Sequence, residues 1–334
     1  MQTLITGNAN PEPGRLPKTQ SYSIEQYGTV IHDELSKLFD VSAYLDFPFT
    51  LDEVAKYFLP KSNVGAEELR LLLARHDFAD LKFTIRDDYL LTSRDQSLSS
   101  RLKREQLSAA KLESAASFAN LLTRLVPFIR TIAVTGSVAY GSADKWDDVD
   151  LFIVTERKRL WLSTFLMLLH IRLYKVLGLR AAHLLPFCLS YLHDEEGFLK
   201  ESRRSRANPL FARELLKAKP VAGTEKYRKI LEENEWVGEF YSTPYKETLR
   251  LLGTSPKRMT KPAGSSGIQS LLLSWVEGMS YVILGRYLRL RAYLTNLKLK
   301  SEGNELRAFQ PNISPASCVY TSNLYQWLNS LWGS

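Results

Sequence analysis

Apolar residues recur at helical spacing over most of this chain and alternate with polar ones in a few short stretches. The first twenty or so residues are polar and hold Pro11, Pro13, Gly14 and Pro17, the pattern of a disordered tail. Ser23 and Gln26 then suit a capping box, and Tyr27, Val30, Ile31, Leu35 and Leu38 fall on one helical face. Pro48 breaks the chain. Thr50 and Glu53 make a second capping box, for a helix that must end before Pro60. A third helix is expected from about Ala66 to His76, with Leu69, Leu72 and Leu73 inward. Leu81 to Ile85 and Tyr89 to Thr92 flank Asp87-Asp88 and predict a β-hairpin.

Further along, Leu98 to Ile129 is rich in alanine, leucine, lysine and arginine and reads as one long helix. Ile132-Ala133-Val134 and Leu151-Phe152-Ile153-Val154 read as strands, with a turn at Gly136-Ser137 between them. Leu160 to Leu177 is an apolar helix stopped at Gly178, and Phe187 to Leu192 is the next strand. Helices follow at Asn208 to Lys219 and Glu225 to Phe240. Ser242 to Gly267 is proline-rich and reads as a loop, before a helical region that begins near Ile268 and passes Leu294. The expected fold class is α+β: a small mixed sheet of residues 131 to 192 with helices on one face. The expected units are a tail at 1–20, a winged-helix-like unit at 21–97, a catalytic unit with its leading helix at 98–241, and a basic, mainly helical region at 242–334. The winged-helix reading rests on the order of three helices and a hairpin, which would make the third helix the recognition helix and the hairpin the wing. Glu67, Glu68, Asp87 and Asp88 make that surface less basic than a DNA reader needs, so packing or protein interaction is favoured over DNA.

The chemistry concentrates between Thr131 and Thr155. In Asp148-Val149-Asp150, strand alternation puts both carboxylates on one face and Val149 on the other. Two carboxylates so placed repel unless a cation lies between them, and a hard cation such as Mg²⁺ shares oxygen ligands with substrate phosphates. A glycine just after a strand, opening a helix, lets backbone N–H groups approach a phosphate. Together these are equipment for moving a phosphoryl or nucleotidyl group.

Composition narrows the alternatives. The formal net charge is +8, compatible with a polyanionic partner. Cys188 and Cys318 are too few for a disulfide framework or a zinc site, which suits a reducing compartment. The N-terminus lacks the apolar core of a signal peptide, and the apolar run from Leu160 to Leu169 is too short to span a bilayer, so a cytoplasmic protein without a membrane partner is expected. The histidines show no metal-ligand spacing, and no nucleophile–base–acid triad stands out. From Tyr245 to Phe309 eleven lysines and arginines face four acids, so most of the basic excess lies there. Arg286, Arg289 and Arg291, interleaved with Tyr287 and Tyr293, leave two readings open. One is a surface that grips an RNA-like backbone. The other is a solvated helix face whose Val282, Ile283, Leu290 and Leu294 pack on the catalytic unit.

The run Gly136-Ser137-Val138-Ala139-Tyr140-Gly141, followed by Asp148-Val149-Asp150 in register between two apolar strands, resembles the signature of the DNA polymerase beta-like nucleotidyltransferase superfamily. Arg159-Leu160-Trp161, Phe211-Ala212-Arg213-Glu214, Lys219-Pro220 and Asn234-Glu235-Trp236 are similar to a prokaryotic group of nucleotidyltransferase-domain proteins with a winged-helix-like N-terminus. The resemblance implies a nucleoside triphosphate such as ATP as donor, with Gly136 and Ser137 at its phosphates and Asp148 and Asp150 holding Mg²⁺ or Mn²⁺. It also implies Lys158 and Arg159 as phosphate-neutralising candidates. Active members add a third carboxylate on a later strand. Phe187 to Leu192 has none, which leaves Asp194 as the candidate. The implied activity is transfer of a nucleoside monophosphate to an acceptor hydroxyl on RNA, protein or a small molecule. The alternative is a nucleotide-binding regulator with a weakened site and a module that contacts DNA or a protein.

Overall fold

The computed structural model describes residues 24–62, 64–74, 78, 80–92, 96–176, 187–253 and 267–332. The expected tail, the Ser23 capping box, the stop at Gly178 and the proline-rich stretch beyond residue 253 lie outside these residues.

The N-terminal unit comprises α1 (Ile24–Leu45), β1 (Phe49–Thr50), α2 (Leu51–Tyr57), α3 (Ala66–Leu73), β2 (Thr84–Arg86) and β3 (Tyr89–Leu91). Its strands form an antiparallel sheet in the order β1-β3-β2. The Thr50 hydroxyl accepts from the Glu53 N–H at 3.1 Å, and Glu53 accepts from the Thr50 N–H at 2.9 Å, so the capping box starts α2. Asp87 and Asp88 both take positive φ, 49° and 65°, as a two-residue hairpin turn with the twist of its strands requires. Leu35, Leu38, Phe47, Leu69 and Leu90 form the core.

The rest of the chain is built on one sheet. After α4 (Leu98–Leu125) come β4 (Ile129–Thr135), α5 (Gly136–Tyr140), β5 (Val149–Thr155), α6 (Leu160–Val176) and β6 (Phe187–Asp194). Then follow α7 (Glu195–Arg204), α8 (Pro209–Lys217), β7 (Lys219–Ala222), α9 (Thr224–Glu232), α10 (Val237–Phe240) and α11 (Ser242–Leu252). The last elements are α12 (Gly267–Ser301), β8 (Phe309–Ser314), β9 (Ser317–Ser322) and α13 (Asn323–Trp332). Strand order is β7-β4-β5-β6-β9-β8, with β5 and β6 parallel and the other pairs antiparallel.

Three sequence expectations change. The helices cover both faces of the sheet, not one. Val149, Leu151 and Ile153 join a core that includes residues of α4, α6 and α12, while Phe152 and Val154 join a second core with residues of α8 and α9. A strand apolar at both parities needs cover on both sides. Residues 242–252 form a helix where a loop was expected, because Pro244 sits in its first turn, where a missing N–H is harmless. The C-terminal region is not only helical: β8 and β9 form a hairpin that adds to the sheet through β6.

Two joints fix the N-terminal unit to this sheet. Arg101 of α4 is 3% exposed and donates to both Glu53 oxygens, at 3.0 and 3.1 Å, to the Pro48 carbonyl at 2.6 Å and to Glu105 at 2.6 Å. Burial alone would raise the Glu53 carboxyl, but the Arg101 guanidinium holds it below the usual range. At the second joint, Trp332 of α13 enters the N-terminal core beside Phe58, and its indole N–H donates to Glu34 at 2.6 Å. The Arg213 guanidinium of α8 lies 4.5 Å from both the Phe58 and Trp332 ring centres. Among the described residues no helix is long and apolar enough to cross a membrane.

His193 on β6 is 1% exposed, lies between Tyr191 and Phe198, and has no hydrogen-bond partner for either ring nitrogen among the described residues. Burial pushes its imidazole down to about 3. The folded chain therefore holds it neutral where the unfolded chain would already bind a proton. Stability should be complete above the unfolded value near 6.5 and fall as pH drops toward 3. Between pH 7 and 5 the chain should lose about 2 kcal/mol more unfolding free energy than His193→Leu, read from denaturant titrations at each pH.

Candidate active site

β4 and β5 pair with Thr135 opposite Asp150, so the end of one strand lies beside the start of the other. The chain leaves β4 through Gly136, at φ 63°, straight into α5. Its dihedral calls for glycine, and the Asp150 carboxylate occupies the space a side chain at Gly136 would enter. Val149 is fully buried and Asp150 half-buried, while Asp148 is exposed one residue before β5 begins. Val149 thus faces inward as expected, and Asp148 stands at the strand's threshold. Ser137, partly exposed, occupies the first turn of α5. Gly141 closes that helix at φ 76°.

The connection from Gly141 to Asp148 is anchored from beneath by α4. Lys111, 5% exposed, donates to the carbonyls of Asp144 and Asp147 at 2.5 Å each. The Ser108 hydroxyl accepts from the Ala143 N–H at 3.1 Å. These bonds set where the chain enters β5 and so where Asp148 stands. Trp146 projects from the same connection, 75% exposed, with the Lys145 ammonium 4.7 Å from its ring centre.

Other candidates lie elsewhere. Asp194 pairs with Thr155, five residues along β5 from Asp150, about 16 Å at the rise of a strand. Its carboxylate is 2% exposed and fully engaged: it accepts from the Gly197 N–H as the cap of α7 and from the Lys158 N–H, both at 2.8 Å. The structure does not bring Asp194 to Asp148 and Asp150. Lys158 and Arg159 follow the same far end of β5, with Lys158 in a tight turn at φ 58° and Arg159 donating to the Lys158 carbonyl. They too are separated from Gly136 and Ser137 by the length of the strand. Beside Asp150 on β6 stands Cys188. Among the described residues no group of three or more histidine, cysteine, aspartate or glutamate side chains could hold a metal ion by itself.

Comparison with known proteins adds one finding to this geometry. Residues 116–237 match the family model of the nucleotidyltransferase domain. The match runs from the second half of α4 to the start of α10 and takes in Gly136, Asp148 and Asp150. It supports the nucleotidyltransferase superfamily and, in general terms, a transferase with a nucleoside triphosphate substrate. No curated protein and no solved structure matches the chain.

Within residues 116–237, sequence reasoning missed a buried polar group behind α5. The Tyr140 hydroxyl donates to Glu214 of α8 at 2.7 Å, so this tyrosine packs and bonds inward. Burial raises the Glu214 carboxyl, against the pull of Arg213. The Lys217 ammonium lies 4.6 Å from the Tyr57 ring centre and 5.0 Å from that of Tyr140. Burial pushes it down to about 8, against the attraction of Glu53. The one local signal was a charged triplet, Arg213, Glu214 and Lys217, on a helix otherwise apolar.

Gly136→Ala should lower unfolding free energy by about 1–3 kcal/mol, the usual penalty for a side chain held at positive φ. Adding Asp150→Gly should recover part of that loss, because it removes the atoms the new methyl group meets. Chemical denaturation of the two single variants and the double variant measures the coupling.

Proposed function

We propose that this protein is a metal-dependent nucleotidyltransferase that moves a nucleoside monophosphate from a nucleoside triphosphate to an acceptor hydroxyl. The observation that carries the reading is the closure of Gly136 on the Asp150 carboxylate, which leaves backbone rather than side chain facing the start of β5. Gly136 and Ser137 would hold the triphosphate through N–H groups and the serine hydroxyl. Asp148 and Asp150 fit a Mg²⁺ or Mn²⁺ ion, because two carboxylates with water and phosphate oxygens make a sufficient oxygen set. The bound ion would offset charge on the phosphates and on departing pyrophosphate. Lys111 keeps the chain entering Asp148 in place, so the carboxylates are presented by a fixed backbone.

A second reading, a nucleotide-binding regulator with a weakened site, draws on one observation. Cys188, not a carboxylate, stands beside Asp150, and Asp194 is committed to capping α7. The order of helices and the three-stranded sheet of the N-terminal unit support a winged-helix reading of it. We propose it as a packing or protein-binding module rather than a DNA reader, since Arg70 of α3 is paired with Asp88 of the hairpin turn. The acceptor, whether RNA, protein or small molecule, is set by surfaces outside the Gly136–Asp150 motif.

Asp148→Asn and Asp150→Asn should each abolish Mg²⁺-dependent triphosphate binding in calorimetry. Neither side chain is core, so melting should shift by no more than the ~1 kcal/mol typical of a single change. Pyrophosphate release from any of the four triphosphates, with an acceptor panel of RNA, protein and small alcohols, would support the enzyme. Binding without turnover would move the reading to the regulator, and Cys188→Asp then tests whether a third carboxylate restores release.

A further inference from the structure

Helix α12 lies along α6 and is locked there. Glu277, 8% exposed, accepts from the N–H groups of Trp161 and Leu162 at 2.8 and 2.7 Å and so caps α6. Farther along, Arg289 donates to the Ile313 carbonyl at 3.0 Å, and Asn296 exchanges two bonds with the Phe309 backbone at 2.6 and 3.0 Å. The inward stripe is Glu277, Ser280, Leu288 and Ala292 with Tyr281 and Leu284 partly buried. This corrects the sequence expectation: Val282, Ile283, Leu290 and Leu294 do not pack on the catalytic unit but are 46–59% exposed.

The outward stripe is apolar as well. Leu272, Trp275 and Met279, then Leu290, Tyr293 and Leu297, recur at three- and four-residue steps on the face opposite the stripe that packs on α6, with Arg286 between the two groups. Eleven large apolar side chains of α12 are 44% exposed or more, which at roughly 100 Å² each comes to on the order of 1,000 Å², beyond the ~300–600 Å² of the largest patch on a typical monomer. It also meets the ~800 Å² per partner of a stable interface. With both its ends bonded to other elements, α12 cannot roll over to hide this face.

We propose that this face is the interface of a homodimer, in which α12 packs antiparallel against α12 of a second copy about a two-fold axis between Leu284 and Gly285. That axis sets Leu272 opposite Leu297 of the second copy, Trp275 opposite its Leu294 and Met279 opposite its Leu290, with Arg286 beside Ile283 of the second copy at the centre. Charge selects the antiparallel sense. Arg286, Arg289, Arg291 and Lys298 all lie C-terminal to the axis, and Glu277, the one charged residue of the helix before it, is spent on α6. Antiparallel packing puts the basic C-terminal half of each helix along the cation-free N-terminal half of the other. Parallel packing would put each cation opposite its own copy, and like charges so placed repel.

Sedimentation equilibrium on the full chain at micromolar concentration should give twice the chain mass. Met279→Lys with Leu290→Lys should raise the dimer dissociation constant at least 100-fold with an unchanged far-ultraviolet circular dichroism spectrum, since both positions are exposed. A chain carrying Met279→Cys and Leu290→Cys should cross-link under mild oxidation, while either change alone should not, a result specific to the antiparallel register. A monomer at these concentrations would overturn the proposal. So would a monomer that floats with phosphatidylserine vesicles, which would assign the stripe to a lipid surface, or a dimer that neither cross-links nor weakens in these variants.

Discussion

A strand covered on both faces can keep a carboxylate only where it enters or leaves the sheet, because an ion buried mid-strand has no water and no room for a partner. β5 is such a strand, and the rest of the molecule follows from how its two ends are used. At the entry, Asp150 lies against a backbone with no side chain, and Asp148 remains in solvent. At the exit, the neighbouring Asp194 is closed in by the N–H groups of Gly197 and Lys158. One end keeps its carboxylates at or near the surface, and the other is consumed by folding. The helices on both faces are what enforce the division, since without them β5 could carry polar groups along one side.

What was legible in the sequence was local. Gly136 and Asp150 are fourteen positions apart but belong to one strand–turn–strand unit, so apolar alternation and a glycine were enough to bring them together. Lys158 and Arg159 follow the second aspartate by only eight and nine positions, yet the chain spends those residues running the length of the strand. Closeness in sequence misled because an extended chain gains about 3.3 Å with every residue. Lys111 and Lys217 come from α4 and α8, and no short motif joins them to the signature. A subtler mark was present: the inward stripe of α4 continues from Leu122, Phe118 and Ala115 through Lys111, Ser108 and Arg101. Polar residues on a stripe that should be apolar are the trace of buried bonds.

The long C-terminal helix shows the limit of periodicity from the other side. Its apolar residues form two stripes, and spacing alone does not say which faces inward. The choice is made by Glu277, whose carboxylate satisfies the first N–H groups of α6, and by Asn296, which pairs with the start of β8. Polar bonds at a few points decide the rotation of a helix that hydrophobicity leaves ambiguous.

The placement of Trp332 bears on how the molecule is made. Its ring belongs to the same core as Ile31 and Leu35, so this cluster waits for a side chain synthesised some three hundred residues later. At the ~5–20 residues per second of protein synthesis, α1, α2 and α3 spend tens of seconds with an open slot beside Phe58. During that interval the nascent chain presents apolar surface that a chaperone can hold, until α13 fills the slot.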